Sequence, residues 1–186
     1  MTPFLNRVRT SVLEIAYEQS GPDNGIPVLL MHGFPYDPRT YDLVLPLLVA
    51  AGCRAIVPYL RGYGPTRFLA TETPRSGQQA ALGNDLKELI DALGLSRPVL
   101  AGYDWGGRAA CVVAALWPDR VRGLVSARLQ HSGYPRIGQT GTAGAGAPAV
   151  VPVLLPHRAR SRRTAGQSTR ILQAVVATVV TELAVR

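Results

Sequence analysis

The sequence predicts an α/β fold, a mainly parallel sheet with helices on both faces. Two observations carry this expectation. Four short runs, residues 28–31 (VLLM), 54–57 (RAIV), 98–101 (PVLA) and 121–125 (VRGLV), lack the strict polar–apolar alternation of a half-exposed strand and read as strands covered on both faces. Between them lie segments whose apolar residues recur at helical spacing, and strands that alternate with helices build βαβ units.

Each element follows from its residues. Residues 12–18 (VLEIAYE) alternate well enough for a half-exposed strand, and 20–27 form a turn cluster before the first buried strand. Residues 41–51 read as a helix stopped by Gly52, with Pro46 near its first turn or kinking it. After the strand at 54–57, residues 58–74 are a loop rich in Gly and Pro. Residues 76–93 read as a helix, because Leu82, Leu86, Leu89, Ile90 and Leu93 fall three or four apart and Gly94 ends the pattern. The strand at 98–101 leads into a helix that begins near Trp105 and stops before Pro118. No internal repeat is evident.

The chain has 186 residues, enough for one domain with a sizeable core, and its net charge of +8 is unevenly spread. Residues 1–127 hold 12 basic and 11 acidic side chains, whereas 128–186 hold 8 basic ones and the single acid Glu182. The sequence therefore divides into a core at 1–126 and an irregular, basic, Gly/Ala/Pro/Arg-rich tail at 127–186. Within the tail, 138–149 are of low complexity and read as disordered, 158–163 are a solvated basic cluster, and 171–184 are apolar without a clear period. A basic tail suggests polyanion binding, but Tyr134 is its one aromatic residue, which disfavours a nucleic-acid partner. Residues 171–180 are interrupted by Gln173 and too short to cross a membrane, so no membrane partner is expected. Cys53 and Cys111 read as free core thiols, and no signal peptide is evident, which together suggest a cytoplasmic protein.

The chemistry concentrates in "GYDWGG", residues 102–107. An acid at the end of a buried strand is costly unless it is paired, hydrogen-bonded or used. Asp104 sits at a strand-to-helix corner, where Gly102 and Gly106 supply the small-x-nucleophile-x-small spacing of a nucleophile elbow. The following helix aims its free N–H groups and positive end at this point. A second element, His32-Gly33-Phe34-Pro35, follows the strand at 28–31; there Gly33 permits close approach and Pro35 can hold a cis bond. A third, Arg61-Gly62-Tyr63-Gly64, lies in the loop after 54–57.

With these three motifs in order, each after its own buried strand, residues 12–126 resemble the N-terminal half of an α/β-hydrolase. "HGFP", "RGYG" and "GYDWGG" resemble the branch of epoxide hydrolases and haloalkane dehalogenases, whose nucleophile is Asp. The resemblance implies an incomplete α/β-hydrolase fold in which Asp104 attacks an electrophilic carbon and forms an ester, which a histidine-activated water then hydrolyses. It implies an oxyanion hole from the backbone N–H groups of Phe34 and Trp105, and structural roles at the site for His32, Gly33, Pro35, Gly102 and Gly106. The substrate is then a small molecule, an epoxide or haloalkyl compound, with no cofactor and no metal. Less specific readings stand beside these. Asp104 can be a helix N-cap, and the Trp105 indole can either pack or face a leaving halide. Tyr63 and Tyr103 read as wall residues, and Arg108 as the partner of a neighbouring acid.

The family pattern stops after 121–125. The resemblance calls for a cap, further strands, a second acid and a terminal histidine, but neither of the remaining histidines, His131 and His157, follows a buried strand with the right flanks, and 128–186 contain no Asp. Codons for residues 129–135, read one base later, can encode YNIQDI; those for 150–157 can encode WYQYYFH; those for 170–183 can encode EFCKLLWRLWSPS. All three shifted readings fall in one frame and are aromatic and amphipathic, like the start of a hydrolase cap. The expectation is a frame slip near Ala127, leaving a chain with the nucleophile but without the base, and hence without turnover. The alternatives are a fragment with no function and, last, a polyanion-binding protein.

Overall fold

The computed structural model describes residues 5–126, and the backbone alone of residues 4, 127–129 and 149–155. Eight strands in these residues form one sheet in the order β1-β2-β4-β3-β6-β7-β8, with the short β5 beside β2. The strands are β1 (Phe4–Arg9), β2 (Leu13–Ser20), β3 (Ile26–Met31), β4 (Cys53–Pro58), β5 (Arg67–Phe68), β6 (Val99–Tyr103), β7 (Gly123–Leu129) and β8 (Ala149–Leu155). β1 and β2 are antiparallel to their neighbours, whereas β4, β3, β6, β7 and β8 pair in parallel.

Among the described residues three α-helices cover the sheet: α1 (Leu45–Ala50), α2 (Gln79–Ala92) and α3 (Asp104–Leu116). On one face, Leu48 of α1, with Val44 and Tyr41 just before the helix, packs on Val28, Leu30, Ala55, Val57, Val99 and Ala101. On the other, α2 and α3 bring Leu86, Leu89, Ala110 and Val113 onto Leu29, Met31, Ile56 and Leu100. Successive residues of β3 and β6 are thus buried on opposite faces, which is why their sequences show no polar alternation.

The expected α/β architecture is present, and the differences lie at the element ends. β1 was not foreseen: FLNRVR carries two arginines and an asparagine, and its described side chains stay at least partly exposed. The helix expected over 41–51 starts only at Leu45, because residues Pro38–Tyr41 form a separate 3-10 turn capped by the Asp37 side chain. Pro46 lies in the first turn of α1, where its missing N–H leaves no helical bond unmade. α2 begins at Gln79 rather than at 76. Cys53 is buried, but Cys111 is exposed on α3, against the reading of both as core thiols. β8 forms where an irregular tail was expected, pairing its backbone with β7 from Gly123↔Ala149 to Leu129↔Leu155. The expectations for residues 138–148, 158–163 and 171–184 fall outside the described residues. No helix among the described residues is long and apolar enough to cross a membrane.

Strand order locates the place where a ligand would bind. From β3 the chain moves to β4 on one side, and from β6 it moves to β7 on the other. The crevice at the carboxyl ends of adjacent β3 and β6 is therefore a topological switch point.

Candidate active site

Two strand ends build the site. β3 ends at Met31 and runs into His32-Gly33-Phe34-Pro35; β6 ends at Tyr103 and runs directly into α3 at Asp104. Asp104 has φ +50°, a left-handed conformation that a non-glycine residue adopts only at a cost of about 1 kcal/mol. The strain turns the chain sharply from strand to helix and leaves the carboxylate facing the β3 loop. The Phe34 N–H donates to Asp104 Oδ1 at 3.0 Å. A helix N-cap ordinarily has extended backbone and a side chain bonded within its own first turn. Asp104 has left-handed backbone, and its carboxylate bonds a residue seventy positions away.

Close approach sets the glycines. A Cβ on Gly106 would lie 2.3 Å from both the Met31 and the His32 carbonyl oxygens, so any side chain there would push α3 off the end of β3. A Cβ on Gly33 would lie 2.5 Å from Asp104 Cβ. Gly102 packs against the backbone of Gly106 and Gly107 across the same corner. The Phe34–Pro35 peptide is cis.

His32 is fully buried. Its Nε2 accepts the Leu60 N–H at 3.2 Å, and the Tyr63 ring stands edge-on to it with centroids 4.7 Å apart. Burial pushes the imidazole below its ordinary value, partly offset by the backbone of Gly33 and Tyr36 and by the Asp37 carboxylate. The ring is therefore neutral at pH 7, with Nε2 engaged as an acceptor. Burial pushes the Tyr63 and Tyr103 phenols up, and the Asp104 carboxylate adds to both shifts. The Phe34 and Trp105 side chains are exposed. Arg108 does not join the ion pairs of the described residues; its guanidinium lies 5.2 Å from the Trp105 ring centroid, which corrects the expected acidic partner.

Sequence reasoning missed two groups that hold these loops. Arg61 forms a buried ion pair with Asp85 of α2. Glu18, buried on β2, accepts from Tyr59 Oη at 2.9 Å and from the guanidinium of Arg39 in the 3-10 turn. Asp85 left a signal, since it lies on the apolar stripe of α2 between Leu82 and Leu89. Among the described residues, no group of three or more His, Cys, Asp or Glu side chains gathers as a metal site.

A family model described as the alpha/beta hydrolase fold matches residues 26–135. Epoxide hydrolase 3 of Siraitia grosvenorii is 37% identical over 118 residues, covering 63% of this chain and 35% of that protein. Haloalkane dehalogenase of Psychrobacter cryohalolentis is 36% identical over 110 residues, covering 59% and 36%. Among solved structures, a candidate epoxide hydrolase from Klebsiella pneumoniae is 52% identical with a TM-score of 0.65, covering 66% of this chain and 41% of that one. Epoxide Hydrolase A of Mycobacterium thermoresistibile is 30% identical with a TM-score of 0.62, covering 69% and 40%. The chain thus spans about a third of the length of the curated relatives it matches.

Two predictions follow from the packing at the corner. Gly106→Ala destabilises the fold by about 3 kcal/mol in urea titration, because the new methyl meets backbone oxygens that cannot rotate away. For His32, the folded chain resists the proton that the unfolded chain accepts at its ordinary pKa of 6.5. The stability it contributes is present above that value and is lost as pH falls from 6.5 through the lower folded value. Urea unfolding measured from about pH 7.5 to about 5 shows this loss in wild type, and the part due to His32 disappears in His32→Asn.

Proposed function

Because the chain belongs to the α/β-hydrolase fold family, we propose that Asp104 is its nucleophile and that it forms a covalent ester with a small epoxide or haloalkyl substrate. The observation that carries this reading is the left-handed Asp104, whose Oδ1 is held by the Phe34 N–H at the switch point of the sheet. With Oδ1 held, Oδ2 is free to attack an electrophilic carbon in line with the leaving bond. For an epoxide, the new C–O ester bond forms as the ring C–O bond breaks, and the ring oxygen leaves as an alkoxide that takes a proton from solvent. For a haloalkane, the halide leaves with the bonding pair. The backbone N–H groups of Phe34 and Trp105, at the positive end of α3, then serve as the oxyanion hole for attack of water on the ester. His32, Gly33, Pro35, Gly102 and Gly106 shape this site without reacting.

Hydrolysis of the ester needs a base on water. Among the described residues His32 is the one histidine, and its buried Nε2 is occupied by the Leu60 N–H. On the reading that 128–186 supply no such base, the chain stops at the ester. Incubation with styrene oxide places one epoxide on the Asp104 carboxylate as a hydroxylamine-labile ester, absent in Asp104→Asn, with no sustained diol formation. Multiple turnovers lost in Asp104→Asn would contradict the arrested step and assign the base to His131 or His157, which lie outside the described residues. Absence of any adduct in wild type would contradict the nucleophile itself.

A frame slip near Ala127 accounts for the missing base. Three tail segments read one base later as cap-like sequence in a common frame, and the family match ends at residue 135, shortly beyond that point. The nucleotide sequence tests it: the account requires the shifted codons to spell those three segments, and any other codon choice removes it.

A further inference from the structure

The buried Arg61–Asp85 pair has no part in the ester chemistry. Arg61, in the loop after β4, meets Asp85 of α2 through two hydrogen bonds, Nε to Oδ2 at 2.5 Å and Nη2 to Oδ1 at 2.6 Å. The side chains are 9% and 10% exposed. Arg61 Nη1 also donates to the Ser76 carbonyl at 2.9 Å, just ahead of α2, and its guanidinium lies 5.7 Å from the Phe68 ring centroid. These contacts fix the loop at residue 61 against α2. One residue earlier, the Leu60 N–H donates to His32 Nε2; two residues later, the Tyr63 ring abuts the same imidazole. Both neighbours that hold His32 therefore flank Arg61, and His32 leads through Gly33 to the N–H that holds Asp104.

Energetics argue against a stabilising role for the pair. Burial pushes the Asp85 carboxyl up, and the Arg61 hydrogen bonds and charge offset this only in part. An apolar pair of similar volume is commonly as stable as a buried ion pair, or more so. What the arginine fork supplies instead is a fixed direction and register.

Resting on the ester reading, we propose that Arg61 and Asp85 are positioning residues: by fixing Leu60 they hold His32 in the tautomer protonated at Nδ1 and keep the Phe34 N–H on Asp104. The coupling runs from α2 through the β4 loop to the β3 loop and involves no contact with substrate.

The test uses the full chain with Arg61→Met/Asp85→Leu together and, separately, Arg61→Lys, which keeps the charge but not the fork. Urea unfolding, the nitrogen-15 resonances of the His32 ring, and the rate of ester formation against styrene oxide concentration are measured. The double variant is expected to unfold at or above the wild-type urea concentration. Its His32 nitrogens move toward a mixture of tautomers, and its saturating ester-formation rate falls roughly tenfold or more at an unchanged half-saturating concentration. Arg61→Lys follows it in both the His32 signal and the rate, and it carries the test alone should the double variant fail to fold. A folded variant with the wild-type His32 spectrum, or with the wild-type rate, overturns the proposal. A wild-type chain that forms no ester defeats the ester reading instead, and the His32 spectrum then judges the coupling alone.

Discussion

The structure turns on one close approach, that of the start of α3 to the end of β3. Gly106 lies against the carbonyls of Met31 and His32, and Gly33 lies against Asp104. No side chain fits either place. This crowding sets the pitch of α3 on the sheet, forces Asp104 into a left-handed conformation and carries the Phe34 N–H to its carboxylate. The strain amounts to about 1 kcal/mol. A core in which β3 and β6 are covered on both faces is large enough to hold it.

Around that corner the loops are tied down from outside. Arg39, Glu18 and Tyr59 join the 3-10 turn after the β3 loop to β2 and to the end of β4. Arg61 and Asp85 join the β4 loop to α2. Loops at the carboxyl end of a parallel sheet have little apolar surface of their own to anchor them, and directional ion pairs supply the anchor. Phe34, whose N–H holds the Asp104 carboxylate, and Trp105, next to Asp104 in the chain, both keep exposed side chains.

Much of this was legible in the sequence, because the determinants are local. Three apolar residues and a Gly-x-Asp-x-Gly run are enough to read a buried strand, a tight corner and an acid at its tip. The His-Gly-Phe-Pro run gave the partner loop for the same reason. What escaped the reading depends on partners far along the chain. β1 is a strand because β2 offers it an edge, since its own charged sequence carries little strand signal. Asp85 meets Arg61 across 24 residues and Glu18 meets Arg39 across 21, and no spacing rule links such positions. Cys111 looked buried because its neighbours are apolar, yet it lies on the exposed side of α3. The same logic applied to Arg108, whose contact is the ring of Trp105 one turn back rather than an acid.

The central claim is that Asp104, and no other nucleophile, is the group the fold presents to an electrophilic carbon. Cys111 is the internal control, an exposed thiol seven residues along the same helix and intrinsically reactive toward epoxides. The most direct measurement is fragmentation mass spectrometry of the peptide spanning both residues after reaction of the intact chain with styrene oxide. The account predicts the adduct on the Asp104 carboxylate. An adduct on Cys111 with Asp104 unmodified would contradict it.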